Sequence, residues 1–216
     1  MDHEAERRAI IEACRNMNRL GLVKGTSGNI SFRAGDGLLI SPTGMEYDAL
    51  EPRHIVPLRW DGSFEGAVEP SSEWRFHRDL LLARPDLNAV VHTHSKHATA
   101  VGILGRDIPA IHYIIAAAGG HDVRCAPYET FGTPELAARV VTAMEGRLAC
   151  LLAHHGVITA GATLAAAMAM AMTLEELAEQ YLLLLPLGEP PVLPRDEMDR
   201  VVAKFATYGR QPGSAV

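Results

Sequence analysis

A chain of 216 residues, 48% of them hydrophobic, is long enough to bury one well-packed core. Its formal charge of −6, with no long basic run, argues against nucleic acid or an anionic membrane as the main partner, though a local site could still hold an anionic small molecule. Three widely separated cysteines, Cys14, Cys125 and Cys150, form no CxxC pair and fit a reducing compartment better than a disulfide scaffold.

The opening segment MDHEAERRAIIEA is charged and has no apolar stretch of signal-peptide type, so a soluble cytoplasmic protein is expected. Ile10, Ile11, Cys14, Met17 and Leu22 recur near helical spacing, which predicts an amphipathic helix over about residues 3–20 with Gly21 as its stop. KGTSGNISFR is a turn running into a short strand. Ala34–Gly37 reads as a hairpin turn, GLLIS as the returning strand and SPTGMEYDAL as a loop. Pro70, Ser71 and Ser72 open a helix with Glu73 in its first turn, and Arg84-Pro85 closes it.

NAVVHTH is then a strand, SKHATAVGILG a helix, and IPAIHYII a strand or extended segment, followed by a loop that contains a further strand. Thr133 caps a helix with Pro134 at its first position. RLACLLA, residues 147–153, is a buried strand ending at His154-His155-Gly156. The Ala/Met-rich stretch Gly161–Leu185 carries Glu175, Glu176, Glu179 and Gln180, which suits a packed interior or interface helix and not a membrane span. A last helix is expected with Asp196 as cap and Gly209 as stop. Alternating helices and strands with hairpin signals favour one three-layer α/β domain over residues 1–216, with a mixed or antiparallel central sheet.

The chemistry concentrates in NAVVHTHSKH. Residues two apart on a strand share a face, so His92 and His94 sit together at a strand end, good geometry for two imidazole ligands. His97 lies beyond the strand and reads as a bystander. The strand end at AHHG offers further imidazoles, and Glu73 is the candidate carboxylate. Three histidines and a carboxylate suit Zn2+, though such sites also take other first-row ions. The ordinary role of a glutamate there is a solvated helix-start residue. Three small-residue turns, Gly25–Asn29, Ser41–Gly44 and Pro70–Ser72, offer backbone N–H groups and hydroxyls of the kind that hold phosphate, while each alone is most simply a turn. No Walker or Rossmann fingerprint points to a nucleotide.

Taken together, GTSGNIS (25–31), SPTG (41–44), PSSEWRFH (70–77), RPDLNAVVHTHS (84–95) and HHGVIT (154–159) resemble the class II aldolase/adducin family, and within it the L-fuculose-1-phosphate aldolase type. The resemblance runs over nearly the whole chain and implies a three-layer α/β/α domain with a mixed, largely antiparallel sheet. It implies Zn2+, with Mn2+ or Co2+ as substitutes, on Glu73, His92, His94 and His155, with His154 pointing to the other side of its strand. Glu73 would leave the metal to act as acid/base. Gly28, Asn29, Thr43, Gly44, Ser71 and Ser72 would hold the substrate phosphate. Tyr113 would reach toward the aldehyde end and serve the site of a neighbouring subunit in a homotetramer with interface sites, and Tyr208, on a looser match of the tail, would be a second catalytic tyrosine near the site.

The activity so implied is cleavage of a ketose 1-phosphate, of the L-fuculose, 5-deoxyribulose or 5-methylthioribulose kind, to dihydroxyacetone phosphate and an aldehyde. An apolar run at Ile111, Tyr113, Ile114 and Ile115 favours a 5-deoxy-type tail. A sugar-phosphate 4-epimerase, a methylthioribulose-1-phosphate dehydratase and a non-catalytic adducin-like module are the competing readings. With only Lys24, Lys96 and Lys204 in the chain, no lysine stands in an obvious apolar pocket for Schiff-base chemistry.

Overall fold

The computed structural model describes residues 2–205 and 207–208. Seven strands form one sheet: β1 (Asn29–Ala34), β2 (Gly37–Ile40), β3 (Val56–Arg59), β4 (Ala89–Thr93), β5 (Arg124–Ala126), β6 (Ala149–Leu152) and β7 (Gly156–Gly161). Their order is β3-β2-β1-β4-β7-β6-β5, antiparallel throughout except for the parallel pair β5/β6. The helices are α1 (Glu4–Arg19), α2 (Trp74–Ala83), α3 (Lys96–Ile103), α4 (Pro134–Ala143), α5 (Leu164–Leu184) and α6 (Arg195–Phe205).

Strand alternation divides the core between the two faces of the sheet. Leu38, Ile40, Val90, Cys150, Leu152 and Ile158 face α2 and α4, where they meet Phe76, Leu80, Leu136 and Val140. Their strand neighbours Ile30, Leu39, Ala89 and Val91 face α1 and α5, while Ala149, Leu151 and Val157 face α3 and α5. This is the expected three-layer mixed sheet. Thr133 caps α4 as expected, its hydroxyl accepting from Leu136 N at 3.3 Å. Gly21, at φ 71, follows α1. The three cysteines are free. Among the described residues no helix is long and apolar enough to cross a membrane, α5 included.

Several expectations need correction. IPAIHYII is not a strand. Tyr113–Ala118 form a 3-10 helix, begun by His112 Nδ1 accepting from Ile114 N at 3.1 Å, and Ile115, Ala116 and Ala118 sink into the core. Only Ile108 touches the strand region, through an isolated bridge to Val123. β-branched composition favoured a strand here, and tertiary packing overrode it. Two strands went unnoticed, β3 and β7. In β3, Pro57 sits on an edge strand, where its missing N–H is tolerated. β7 intervenes between His155 and α5, so the Ala/Met helix does not follow the histidines directly. Asp196 lies inside the first turn of α6 and does not cap it. The expected stop at Gly209 lies outside the described residues.

Candidate metal centre

Four elements deliver the site to one end of the sheet. β4 carries His92, fully buried, one residue before its end at Thr93, and His94 follows just beyond, on the same side as Val90 and therefore the α2 side. β1 runs beside β4 with Asn29 opposite His92. The turn between β6 and β7 carries His155. It closes because His154 adopts a left-handed conformation at φ 55 and His155 N bonds to Leu152 O at 3.1 Å. Gly156 must be glycine: a Cβ there would lie 2.5 Å from Thr93 O and 2.7 Å from the His94 ring. Gly28 is held in the same way, since a Cβ would stand 2.8 Å from His92 O.

Glu73 immediately precedes α2, at its cap position and not in its first turn. An acidic cap normally bonds to the N–H groups of the helix start. Here the carboxylate makes no such bond and turns inward, and Ser71 Oγ instead accepts from Glu73 N at 3.3 Å. Its Oε2 lies 3.1 Å from His92 Nε2 and accepts from Asn29 Nδ2 at 3.1 Å. Its Oε1 lies 3.2 Å from His155 Nε2, yet among the described residues it has no hydrogen-bond partner of good geometry. An unpaired buried acceptor of this kind costs about 1–3 kcal/mol unless something fills the gap.

The imidazoles have the same need. His92 Nδ1 stands 2.9 Å from Val157 O, a carbonyl that can only accept, so Nδ1 carries the proton and the Nε2 lone pair points into the cluster. His92 Nε2 and His94 Nε2 are 2.9 Å apart, and one ring nitrogen from each of His92, His94 and His155 lies within 4.8 Å of the others. Facing lone pairs and a carboxylate repel one another without a cation between them. Three imidazole nitrogens and a carboxylate oxygen fit a first-row divalent ion. Burial, and then the proximity of His92, lowers His94 and His155 to about 4, so both are neutral and able to ligate at neutral pH. Burial alone would raise Glu73, but His92, His155 and Asn29 outweigh it and hold the carboxyl well below the usual carboxylate range.

His97 is no part of this cluster. Its Nδ1 pairs with Glu175 of α5 at 2.8 Å, and the same carboxylate accepts from the backbone of His97 and Ala98. Ser95 makes no side-chain cap, so Glu175 satisfies the open N–H groups of α3 directly behind His94. His154, expected on the far side of a strand, belongs to a turn and lies on the cleft, edge-on to Tyr128 at 6.2 Å. The cleft, about 280 Å³, is lined by Glu73, His94 and His155 below and by Tyr128, Phe131 and His154 at its mouth. Arg75, bonding to Gly132 O at 2.9 Å, ties the loop carrying Tyr128 and Phe131 to α2.

The three small-residue turns do meet at this end. Ser71 N bonds to Ser41 O at 3.0 Å, Ile30 N to Ser41 Oγ at 3.0 Å, and Pro42 bridges Pro70. Thr43, Gly44 and Ser72 are exposed, while Gly28, Asn29 and Ser71 are buried. Asn29 has both ends of its amide engaged internally, and its second partner is a buried residue that the sequence did not flag, His77. A signal was present: Glu73 and His77 lie one helical turn apart, polar residues beside the apolar Phe76, Leu80 and Leu81.

Tyr113 and Tyr208 are elsewhere. Tyr113 is 52% exposed and Tyr208 77% exposed; Tyr113 stacks on Phe205 and Tyr208 meets it edge-on, along a separate groove of roughly 780 Å³. Neither lines the histidine cleft.

Residues 8–182 match the family described as the Class II Aldolase and Adducin N-terminal domain. The chain belongs to that family and, within it, to the class II aldolases. It is 55% identical over 205 residues to a 5-methylthioribulose-1-phosphate/5-deoxyribulose-1-phosphate aldolase of Rhodospirillum rubrum, covering 95% of this chain and 93% of that one. It is 50% identical over 210 residues to an L-fuculose phosphate aldolase of Escherichia coli strain K12, covering 97% and 98%. A solved structure titled L-fuculose 1-phosphate aldolase superposes with a TM-score of 0.92 at 37% identity, covering 95% of this chain and 98% of the other.

Proposed function

We propose that the protein cleaves the C3–C4 bond of a ketose 1-phosphate to give dihydroxyacetone phosphate and an aldehyde, with Zn2+ held by His92, His94, His155 and Glu73. The observation that carries this is the convergence of three imidazoles on a buried carboxylate with an oxygen that has no partner among the described residues. It stands in a chain whose relatives bear aldolase names. When bound, the ion supplies Lewis acidity, polarising the ketose carbonyl and stabilising the negative charge left on the retained half.

The chain's own residues do the rest. Glu73, buried at the floor of the cleft and ionised at rest, delivers to C3 the proton given up by the C4 hydroxyl, so that cleavage neither gains nor loses a proton. Gly28, Asn29, Thr43, Gly44, Ser71 and Ser72 anchor the phosphate at the joined loops, far from the bond that breaks, and so fix orientation. Tyr113 and Tyr208 lie exposed and away from their own cluster, which supports their serving the site of a neighbouring subunit in a cytoplasmic homotetramer, at the C4 hydroxyl.

The preferred substrate is a 5-deoxy-type sugar phosphate. Its support is now the aromatic cleft mouth, Tyr128 and Phe131, in place of the Ile111–Ile115 run, because Ile115 is core. The test is a coupled assay for dihydroxyacetone phosphate with L-fuculose, 5-deoxyribulose and 5-methylthioribulose 1-phosphates. Consumption of a substrate without that product is the 4-epimerase or dehydratase outcome and would sink the aldolase reading. Purified protein without stoichiometric metal after zinc supplementation would return the adducin-like module.

A further inference from the structure

β1 and α2 face each other as two short polar pairs in an otherwise apolar layer. Asn29 and Ser31 lie two apart on one face of the strand. Glu73 and His77 lie four apart across the first turn of the helix. The four side chains form one unbroken buried chain: Glu73 Oε2 to Asn29 Nδ2 at 3.1 Å, Asn29 Oδ1 to His77 Nε2 at 2.5 Å, and His77 Nδ1 to Ser31 Oγ at 2.8 Å. Ser31 and His77 are 0% exposed, Asn29 5% and Glu73 6%.

The direction of every bond in this chain is fixed from one end. A carboxylate can only accept, so Asn29 must turn its NH2 toward Glu73. Its amide oxygen then faces His77 and also only accepts, so His77 Nε2 carries the ring proton. His77 Nδ1 is left as an acceptor and takes the Ser31 hydroxyl proton. With His77 in the other tautomer, Asn29 would have to turn its amide over and present oxygen to the carboxylate, two acceptors facing each other with no water to separate them.

We propose that His77 is a positioning residue for Glu73: through Asn29 it holds the carboxylate in the one orientation from which it faces both the histidine cluster and the cleft. This rests on the reading of Glu73 as the acid/base. It also changes the role expected of Asn29, whose side chain is committed to the carboxylate, leaving its backbone for phosphate.

The test uses the full-length zinc-loaded protein and three variants, His77→Leu, His77→Gln and Glu73→Gln. Glutamine can donate to Asn29 and accept from Ser31, whereas leucine can do neither. His77→Leu is expected to keep its zinc and its KM and to lose about 10–100-fold in kcat, with His77→Gln recovering most of that loss. Long-range proton–nitrogen NMR of 15N-histidine protein should show one imidazole as the Nε2–H tautomer that disappears in His77→Gln.

An Nδ1–H tautomer for His77 would overturn the proposal. So would an unchanged kcat in His77→Leu, or equal losses in the leucine and glutamine variants, which is the pattern of packing alone. Full turnover in Glu73→Gln would remove the acid/base reading itself, leaving the tautomer signal untouched. An inactive Glu73→Gln beside a fully active His77→Leu would sink the positioning role alone.

Discussion

The histidine cleft and the Tyr113–Tyr208 groove are built in opposite ways. The cleft is assembled by the chain on itself: the end of strand β4, the β6–β7 turn, the start of α2 and the start of β1 each contribute to it, and their bonds lock one another. The groove holds its aromatics outward, Tyr113 over half exposed and Tyr208 more so, with ring contacts to Phe205, one stacked and one edge-on. A metal centre needs groups fixed before the ion arrives. A residue that serves another subunit has to remain at the surface of its own. Exposure of Tyr113 and Tyr208, away from the cluster, is what the proposed interface role requires.

The sharpest way to break this comparison is to remove a ligand. His94→Ala should lose metal and activity together, by more than about 100-fold in kcat/KM, because two imidazoles and a carboxylate leave the ion under-coordinated. Metal content by elemental analysis and the dihydroxyacetone phosphate assay check it. Retained stoichiometric zinc would mean that the cluster holds the ion elsewhere.

Glu73→Gln asks whether the carboxylate does more than ligate. It should keep metal and lose about 100- to 10000-fold in turnover, the range for a general acid/base. Retained full activity would take Glu73 out of the mechanism and leave it a structural partner of Asn29 and His155.

The groove is tested by mixing two crippled chains. Tyr113→Phe and Glu73→Gln homo-oligomers should each be poor enzymes. Co-refolded in equal amounts, they should recover about a quarter of wild-type activity, because a quarter of randomly assembled sites would pair an intact Glu73 with an intact neighbouring Tyr113. No recovery would place the tyrosine in its own chain's site, or outside the reaction.

Legibility in the sequence followed the same division. His92 and His94 could be read because a strand's period of two is strict; the buried run that stopped at HHG pointed to that strand end, and the family resemblance singled out His155 there. The mixed sheet followed from hairpin and helix signals, but β7 was hidden: GVITAG is short, small and apolar, and only Ala162 and Thr163 separate it from the long Ala/Met run of α5. Residues 113–118 misled because Ile and Tyr favour strands, whereas the core took Ile115 and the alanines as a 3-10 turn. His77 and Glu175 act across long sequence separations, bonding to Asn29 and to the start of α3, and no local pattern records such partners.

The smallest effect expected concerns stability, and it also separates the two regions. Burial, and then the proximity of His92, lowers His77 to about 3 and His94 and His155 to about 4, from an ordinary 6.5. The unfolded chain therefore takes up protons first as the pH falls, and stability is present above about 6.5 and lost progressively toward the folded values. Glu73 acts in the same direction at lower pH, because its folded carboxyl lies below the ordinary 4.5. Urea midpoints of the metal-free protein should fall steadily from about pH 6.5 to about pH 4, and His77→Gln should flatten the slope by roughly one proton. Tyr113→Phe should leave the slope where it was, since the groove contributes no buried titrating group to this window. A slope unchanged in His77→Gln would mean that the imidazole takes up its proton as readily in the folded chain, with Ser31 Oγ turned to accept from Nδ1, against the burial that lowers it.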